Sequence, residues 1–244
     1  MSADRSAEAL ADLIRIDDRS RTSPVILHVP HASRLIPARF MDSFVVGADE
    51  VTRELDALTD AATDRIADGA PTASRVQHGL SRLLVDVERF PGDEEEMNAV
   101  GMGVLYTHGS HRQELRRPSE ADRSALMAYF SAYSTAVADL VERTLDRHGR
   151  AVILDVHSYP RRPSPYELHG DERRPELCVG VDPFHTPADL VAAVREAFDG
   201  LELLENEPFH GAYVPLRFYE RDERVQSVML EIRRDVYLRD GEPV

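Results

Sequence analysis

At 244 residues the chain is long enough to bury a sizeable core, and with 42% hydrophobic and 30% charged residues it reads as a globular protein rather than a disordered one. Its 44 acidic against 29 basic residues leave a formal net charge of −15, which argues against nucleic acid or an anionic membrane as partner. The lone Cys178 excludes an intramolecular disulfide and a thiolate-rich zinc site; the charged start lacks a signal-peptide core and no run nears ~18 apolar residues, so a cytoplasmic protein is expected.

No linker interrupts the chain, and a single domain over residues 1–244 is expected. After a weakly amphipathic start, PVILHVPH places Val25, Ile26 and Leu27 before His28, Val29, Pro30 and His31. This is a short buried strand running into imidazoles, and Pro30 and Pro37 make the next segment a loop. Over residues 48–69, Val51, Leu55, Leu58, Ala62 and Ile66 recur at helical spacing, with Gly69 as a stop. On a continuous helix Asp56, Asp60 and Asp64 form one stripe of like charges, which either water screens or a cation compensates.

Leu80 to Phe90 (LSRLLVDVERF) is a third strand candidate, leading to Asp86, Glu88 and Arg89, and residues 91–98 read as a solvated acidic turn. The glycine-rich stretch 100–118 reads as an irregular loop. Its His108 and His111 either hold a second metal or face solvent. A long helix spans 119–146, with Leu126, Tyr129, Phe130, Tyr133, Val137, Leu140, Val141 and Leu145 on its core face and Gly149 beyond its end.

Next comes AVILDVHSYP, residues 151–160, an apolar run typical of a buried parallel strand that stops in Asp155, His157 and Ser158. Alternation puts Asp155 and His157 on one face. A Pro- and Arg-rich loop comes after it, in which His169 is assigned nothing. Leu177 to Val181 is another strand, with Cys178 as a small core residue. Thr186 is expected to cap a helix through Phe198, with Pro187 in its first turn; His185 is assigned nothing. Asn206 to Pro215 is loop, and the strand Val228, Met229, Leu230 stops at Glu231.

Four apolar runs therefore end in His31, in Asp86 with Arg89, in Asp155 with His157, and in Glu231. Ligands of open α/β sheets gather outside the carboxyl ends of the strands, so these ends argue for one site. Zinc catalysis needs three nitrogen or oxygen ligands and an open position. His31, His157 and one helix carboxylate meet that need, and Glu231 is placed to move a proton.

Six motifs in order carry a resemblance: PHAS at 30–33, LTDAATD at 58–64, SRLLVDVER at 81–89, DVHS at 155–158, NEPFHGAY at 206–213 and EIRRDVYL at 231–238. Together, from about residue 24 to 238, they resemble the N-formylglutamate amidohydrolases. The resemblance implies a three-layer αβα sandwich around a mixed, largely parallel sheet, phosphorylase/hydrolase-like and carboxypeptidase-like. It further implies a zinc-dependent amidohydrolase acting on a small N-acyl amino acid such as N-formyl-L-glutamate.

Carried over, His31, His157 and Asp60 become metal ligands, with Asp56 the rival carboxylate. Glu231 becomes general base and acid, and Arg89 grips a substrate carboxylate. Arg82 assists it or polarises the carbonyl, and the loop from Asn206 to Tyr213 walls the site, with Asn206 touching substrate. Asp155 backs His157. Arg233 either orients Glu231 or lies on the surface. The chain departs from the family pattern at Glu88, where an asparagine is usual, at Ser33 and at Ala212. Glu88 in the pocket would repel a substrate carboxylate, so a peptide or another acylated amino acid is the alternative substrate, and a non-catalytic metal- or ligand-binding relative the alternative function.

Overall fold

The computed structural model describes residues 10–168, 170, 172–239 and 242–243; His169 lies outside the described residues. Seven strands, β1 (Arg15–Asp17), β2 (Val25–Val29), β3 (Ser74–Gln77), β4 (Ala151–Tyr159), β5 (Leu177–Gly180), β6 (Leu203–Glu205) and β7 (Val225–Arg233), form the main sheet in the order β1-β3-β2-β4-β7-β5-β6, and Leu238–Arg239 pairs with Glu242–Pro243 in a second, two-stranded one. The centre of the main sheet, β3-β2-β4-β7, is parallel throughout. β1 joins β3 and β5 joins β7 antiparallel, while β6 runs parallel to β5. The four central strands therefore deliver their carboxyl ends to one edge of the molecule. The register sets His28 beside Asp155 and His157 beside Glu231.

Side-chain alternation then sorts the core. Ile26 and Ile153 pack with Tyr129, Tyr133 and Val137 of the long helix α3 (Glu120–His148) on one face of the sheet. On the other face Leu27 and Val29 pack with Ala67 of the short helix α2 (Thr63–Ala67), and Val228 and Leu230 with Val194 of α4 (Ala188–Ala197). Both sheet faces are covered, as a parallel sheet requires, and the result is the expected αβα sandwich around a mixed, largely parallel sheet. Ser119 and Asp122 form a capping box at the start of α3, and Gly149, at φ 70°, closes it. Among the described residues no helix is long and apolar enough to cross a membrane.

The expected continuous helix over 48–69 is instead broken. α1 (Ala48–Leu58) stops at Thr59, Ala62 takes a left-handed φ of 60°, and α2 begins after it. The break has a cause far along the chain. Arg234, in the helical turn α5 (Arg234–Tyr237), donates to the carbonyls of Asp56, Ala57 and Thr59, consuming the acceptors that would close the α1 end. Asp60 N–H meanwhile donates to His31 O. The aspartate stripe does not exist: Asp60 is buried, while Asp56 is exposed and pairs with Arg34 at 2.7 Å.

Leu80 to Phe90 is not a strand but an irregular, largely buried segment that comes after β3. Its carbonyls are served by a side chain instead of a neighbouring strand: Arg116, 1% exposed, donates to Leu83 O at 2.6 Å, Leu84 O at 3.1 Å and Tyr106 O at 3.3 Å. The segment still leaves the same carboxyl edge, because β3 delivers it there. Nor is the acidic turn after it wholly solvated. Glu95 is buried and accepts from the backbone of Phe90 and Met97. Pro187, not Thr186, occupies the N-cap position of α4, since Thr186 Oγ1 donates to Ser227 O and accepts from Asp182 N–H.

Candidate active site

β2 runs through Pro30 into His31, β4 carries His157 two residues from its end, and the break after α1 drops Asp60 between them. The three meet: His31 Nδ1 lies 3.3 Å from His157 Nδ1, and Asp60 Oδ2 lies 3.0 Å from His157 Nδ1 and 3.6 Å from His31 Nδ1. All three side chains are buried. Ligands bound to a tetrahedral zinc at about 2.0–2.1 Å stand about 3.3 Å apart, and the three observed edges bracket that value.

The far nitrogens each face a carboxylate. His31 Nε2 lies 2.9 Å from Asp86 Oδ1, and His157 Nε2 lies 3.0 Å from Asp155 Oδ1. A carboxylate behind each Nε2, hydrogen-bonded at His31 and charge-paired at His157, attracts a proton there, so a cation that displaces proton from the Nδ1 edge would meet both Nδ1 lone pairs beside Asp60. Two lone pairs and a carboxylate pointing at one spot fit a divalent cation. Burial alone would drive His157 towards its neutral form, but Asp155 and Glu88 outweigh it and hold its pKa well above the usual value. Asp60 is likewise opposed by burial, yet His157 and His31 keep it ionised, below its ordinary range.

Beside this triad lies a cavity of about 210 Å³ into which Glu231, Arg82, Arg89 and Arg234 also open. Burial, opposed by His157 and reinforced by Asp60, lifts the Glu231 carboxyl to about 7, and its Oε2 has no hydrogen-bond partner. A carboxyl near neutrality with a free oxygen suits proton transfer in both directions. Arg82 is committed: its Nη2 lies 2.7 Å from Asp86 Oδ2, and its Nε donates to Tyr106 OH at 3.1 Å. Arg89 is looser: its buried Nε lies 3.5 Å from Asp86 Oδ2 without a hydrogen bond, and its Nη1 lies 3.7 Å from Glu95 Oε1.

Not every expected residue faces the cavity. Asn206, at φ 51°, accepts from the backbone of Val181 and Gly211 and donates to Val181 O, so its amide shapes the loop while Pro208, Phe209 and His210 line the wall. Arg233 turns away to Asp235 and Arg174 O, and Arg234 takes the place beside Asp60, 3.8 Å away. His108 and His111 bond to Thr107 and Ser110 and join no group of potential ligands among the described residues. His185 is buried and satisfied by Val225 O and Glu220 N–H.

His28 at the site escapes sequence reasoning, and Glu88 takes a setting that the sequence does not show. His28 reads from the sequence only as part of a strand, though a buried histidine on a strand needs a partner; Asp155 Oδ1 supplies it at 2.8 Å, and Tyr213 stacks on the ring at 4.1 Å. Glu88, expected to repel a substrate carboxylate if it faced the pocket, does line the cavity, with its charge paired. Its carboxylate lies 3.3 Å from His28 Nδ1, 3.3 Å from His157 Nε2 and 3.5 Å from His31 Nε2.

Fold and site together define an α/β enzyme whose polar groups converge at the carboxyl edge of a parallel sheet. The chain belongs to the N-formylglutamate amidohydrolase family, which matches residues 23–238, and is a hydrolase of linear amide C–N bonds. Its fold is similar to that of the N-formylglutamate amidohydrolase from Ralstonia eutropha JMP134, with a TM-score of 0.76 at 21% identity over 93% of this chain and 88% of that one. It is also similar to a gene product of Agrobacterium tumefaciens, with a TM-score of 0.70 at 21% identity over 93% and 87% of the two chains. No curated protein matches the sequence significantly.

Proposed function

We propose that this chain is a zinc-dependent amidohydrolase that removes the acyl group of a small N-acyl amino acid such as N-formyl-L-glutamate. The observation that carries this reading is the triangle of His31 Nδ1, His157 Nδ1 and Asp60 Oδ2 beside the Glu231 carboxyl in one cavity. A divalent ion held by the three supplies Lewis acidity, making water more acidic and the acyl carbonyl more electrophilic.

The residues do the rest. Glu231 accepts a proton from water as the water oxygen attacks the acyl carbon, and returns it to the amine as the C–N bond breaks. Free amine and carboxylic acid leave. The Arg82 guanidinium, held by Asp86 and Tyr106, faces the negative charge that develops on the carbonyl oxygen. Arg89, whose guanidinium lines the cavity, offers donors to the substrate carboxylate. The charge of Glu88 is set against three imidazoles, which weakens the objection that it repels an acidic substrate.

The test is zinc content measured together with formate release from N-formylglutamate, in the wild type and in His157→Ala and Glu231→Gln proteins. The wild type is expected to hold zinc and release formate, His157→Ala to lose both, and Glu231→Gln to keep zinc and lose turnover. Full activity after chelation, or in Glu231→Gln, overturns the mechanism.

A further inference from the structure

We propose that His28, Glu88 and Asp155 form a second divalent-cation site, set back to back with the first across the imidazole of His157. Its atoms come from three separate segments: His28 from β2, Asp155 from its registered neighbour β4, and Glu88 from the irregular stretch after β3. His28 Nδ1 lies 2.8 Å from Asp155 Oδ1 and 3.3 Å from Glu88 Oε1. His157 Nε2 lies 3.0 Å and 3.3 Å from the same two oxygens. Those edges match the spacing of about 3.3 Å between ligands of a tetrahedral ion, as in the first site.

Hydrogen bonding accounts for only part of this cluster. His28 Nδ1 bonds to Asp155, but Glu88 Oε1 and His157 Nε2 are buried with no hydrogen-bond partner, and His157 is only 3% exposed. The two face each other at 3.3 Å as an ion pair without hydrogen-bond geometry, a crowding of donor atoms that hydrogen bonds do not satisfy. A cation among them pairs both carboxylate oxygens and accepts the imidazole lone pairs, the His157 Nε2 proton passing to solvent as the ion enters. Imidazole with carboxylate favours zinc, cobalt or manganese over magnesium or calcium. Glu88 and Asp155 line a second cavity of about 460 Å³, which shares Glu88, Arg89 and Met229 with the first and is walled by Tyr213, the ring stacked on His28.

The rival arrangement is a protonated His28 held between two carboxylates with no ion. Metal-free protein loaded with Co²⁺, freed of excess by gel filtration and analysed for cobalt per chain, separates the two. The wild type is expected to hold two ions. His28→Gln, Glu88→Gln and Asp60→Asn are each expected to hold one. Glu88→Gln is nearly isosteric and carries the test if His28→Gln fails to fold by circular dichroism. One ion in the wild type, lost in Asp60→Asn and kept in His28→Gln and Glu88→Gln, overturns this second site and leaves the first standing. One ion lost in His28→Gln and Glu88→Gln but kept in Asp60→Asn upholds the second and overturns the first. Two ions kept in His28→Gln and Glu88→Gln, or none in any protein, overturn the proposal.

Discussion

Replacing Arg116 by Met is expected to destabilise the protein by about 3 kcal/mol, although Arg116 touches neither cavity. The side chain is 1% exposed, and its guanidinium donates to Leu83 O, Leu84 O, Tyr106 O and Ser43 Oγ. Burial is costly enough to pull its pKa down to about 10. Methionine fills the same channel but leaves those acceptors without a donor, at roughly 1–3 kcal/mol for each that stays dry. Removing the guanidinium also removes its own desolvation cost, of several kcal/mol, so the net is well below the sum. For a chain of this size ~1 kcal/mol moves Tm by about 2–4 °C, so a fall of roughly 6–12 °C is expected. The assay is thermal unfolding of metal-free protein, so that ion binding does not contribute. Arg117→Met, at an exposed neighbour paired with Glu114, is the control and should shift Tm by little. An Arg116→Met protein as stable as wild type refutes the view that this arginine stands in for a missing strand partner.

Three further outcomes rest on the same geometry. The Glu231 carboxyl is raised to about 7, so in metal-free protein the stability it contributes is full below its unfolded value and is lost as pH rises through about 7. Urea titrations across that range should show the slope in the wild type and a flatter profile in Glu231→Gln; identical profiles reject the assignment. Asp86→Asn removes the carboxylate behind His31 Nε2 and should weaken zinc binding by about 10–100-fold in a chelator competition. Unchanged affinity there would mean that the tautomer of His31 is set by something else. Ser119→Ala loses the α3 capping box and should cost about 1 kcal/mol in urea unfolding while leaving zinc affinity unaltered.

Much of the site is legible in the sequence because its residues sit at the ends of apolar runs. The runs before His31, His157 and Glu231 are β2, β4 and β7, adjacent in the sheet. A run of Val, Ile and Leu that stops abruptly in a charged residue marks the point where a buried strand reaches the surface edge. β3 escapes notice for the converse reason. Its sequence, SRVQ, contains one large apolar residue, and only the neighbouring strands make it a strand. Leu80 to Phe90 looks more strand-like than β3, because burial and apolar composition are the same whether a segment pairs with a strand or is served by Arg116.

The sequence alone marked the long helix, the buried strands and the imidazoles and carboxylates at their ends, because periodicity and strand length are local properties, while the αβα sandwich was implied by the family resemblance. The sequence could not tell which of Asp56 and Asp60 lies beside the histidines, since four residues apart on an unbroken helix they are equivalent. That choice fell to Arg234, whose guanidinium holds the end of α1 open and leaves Asp60 buried against His157 and Asp56 in solvent. Nor could it place Glu88, which lies against His28 on β2, His31 just beyond it and His157 on β4. Contacts between residues more than a hundred positions apart arise from register and packing, and only the folded sheet fixes them.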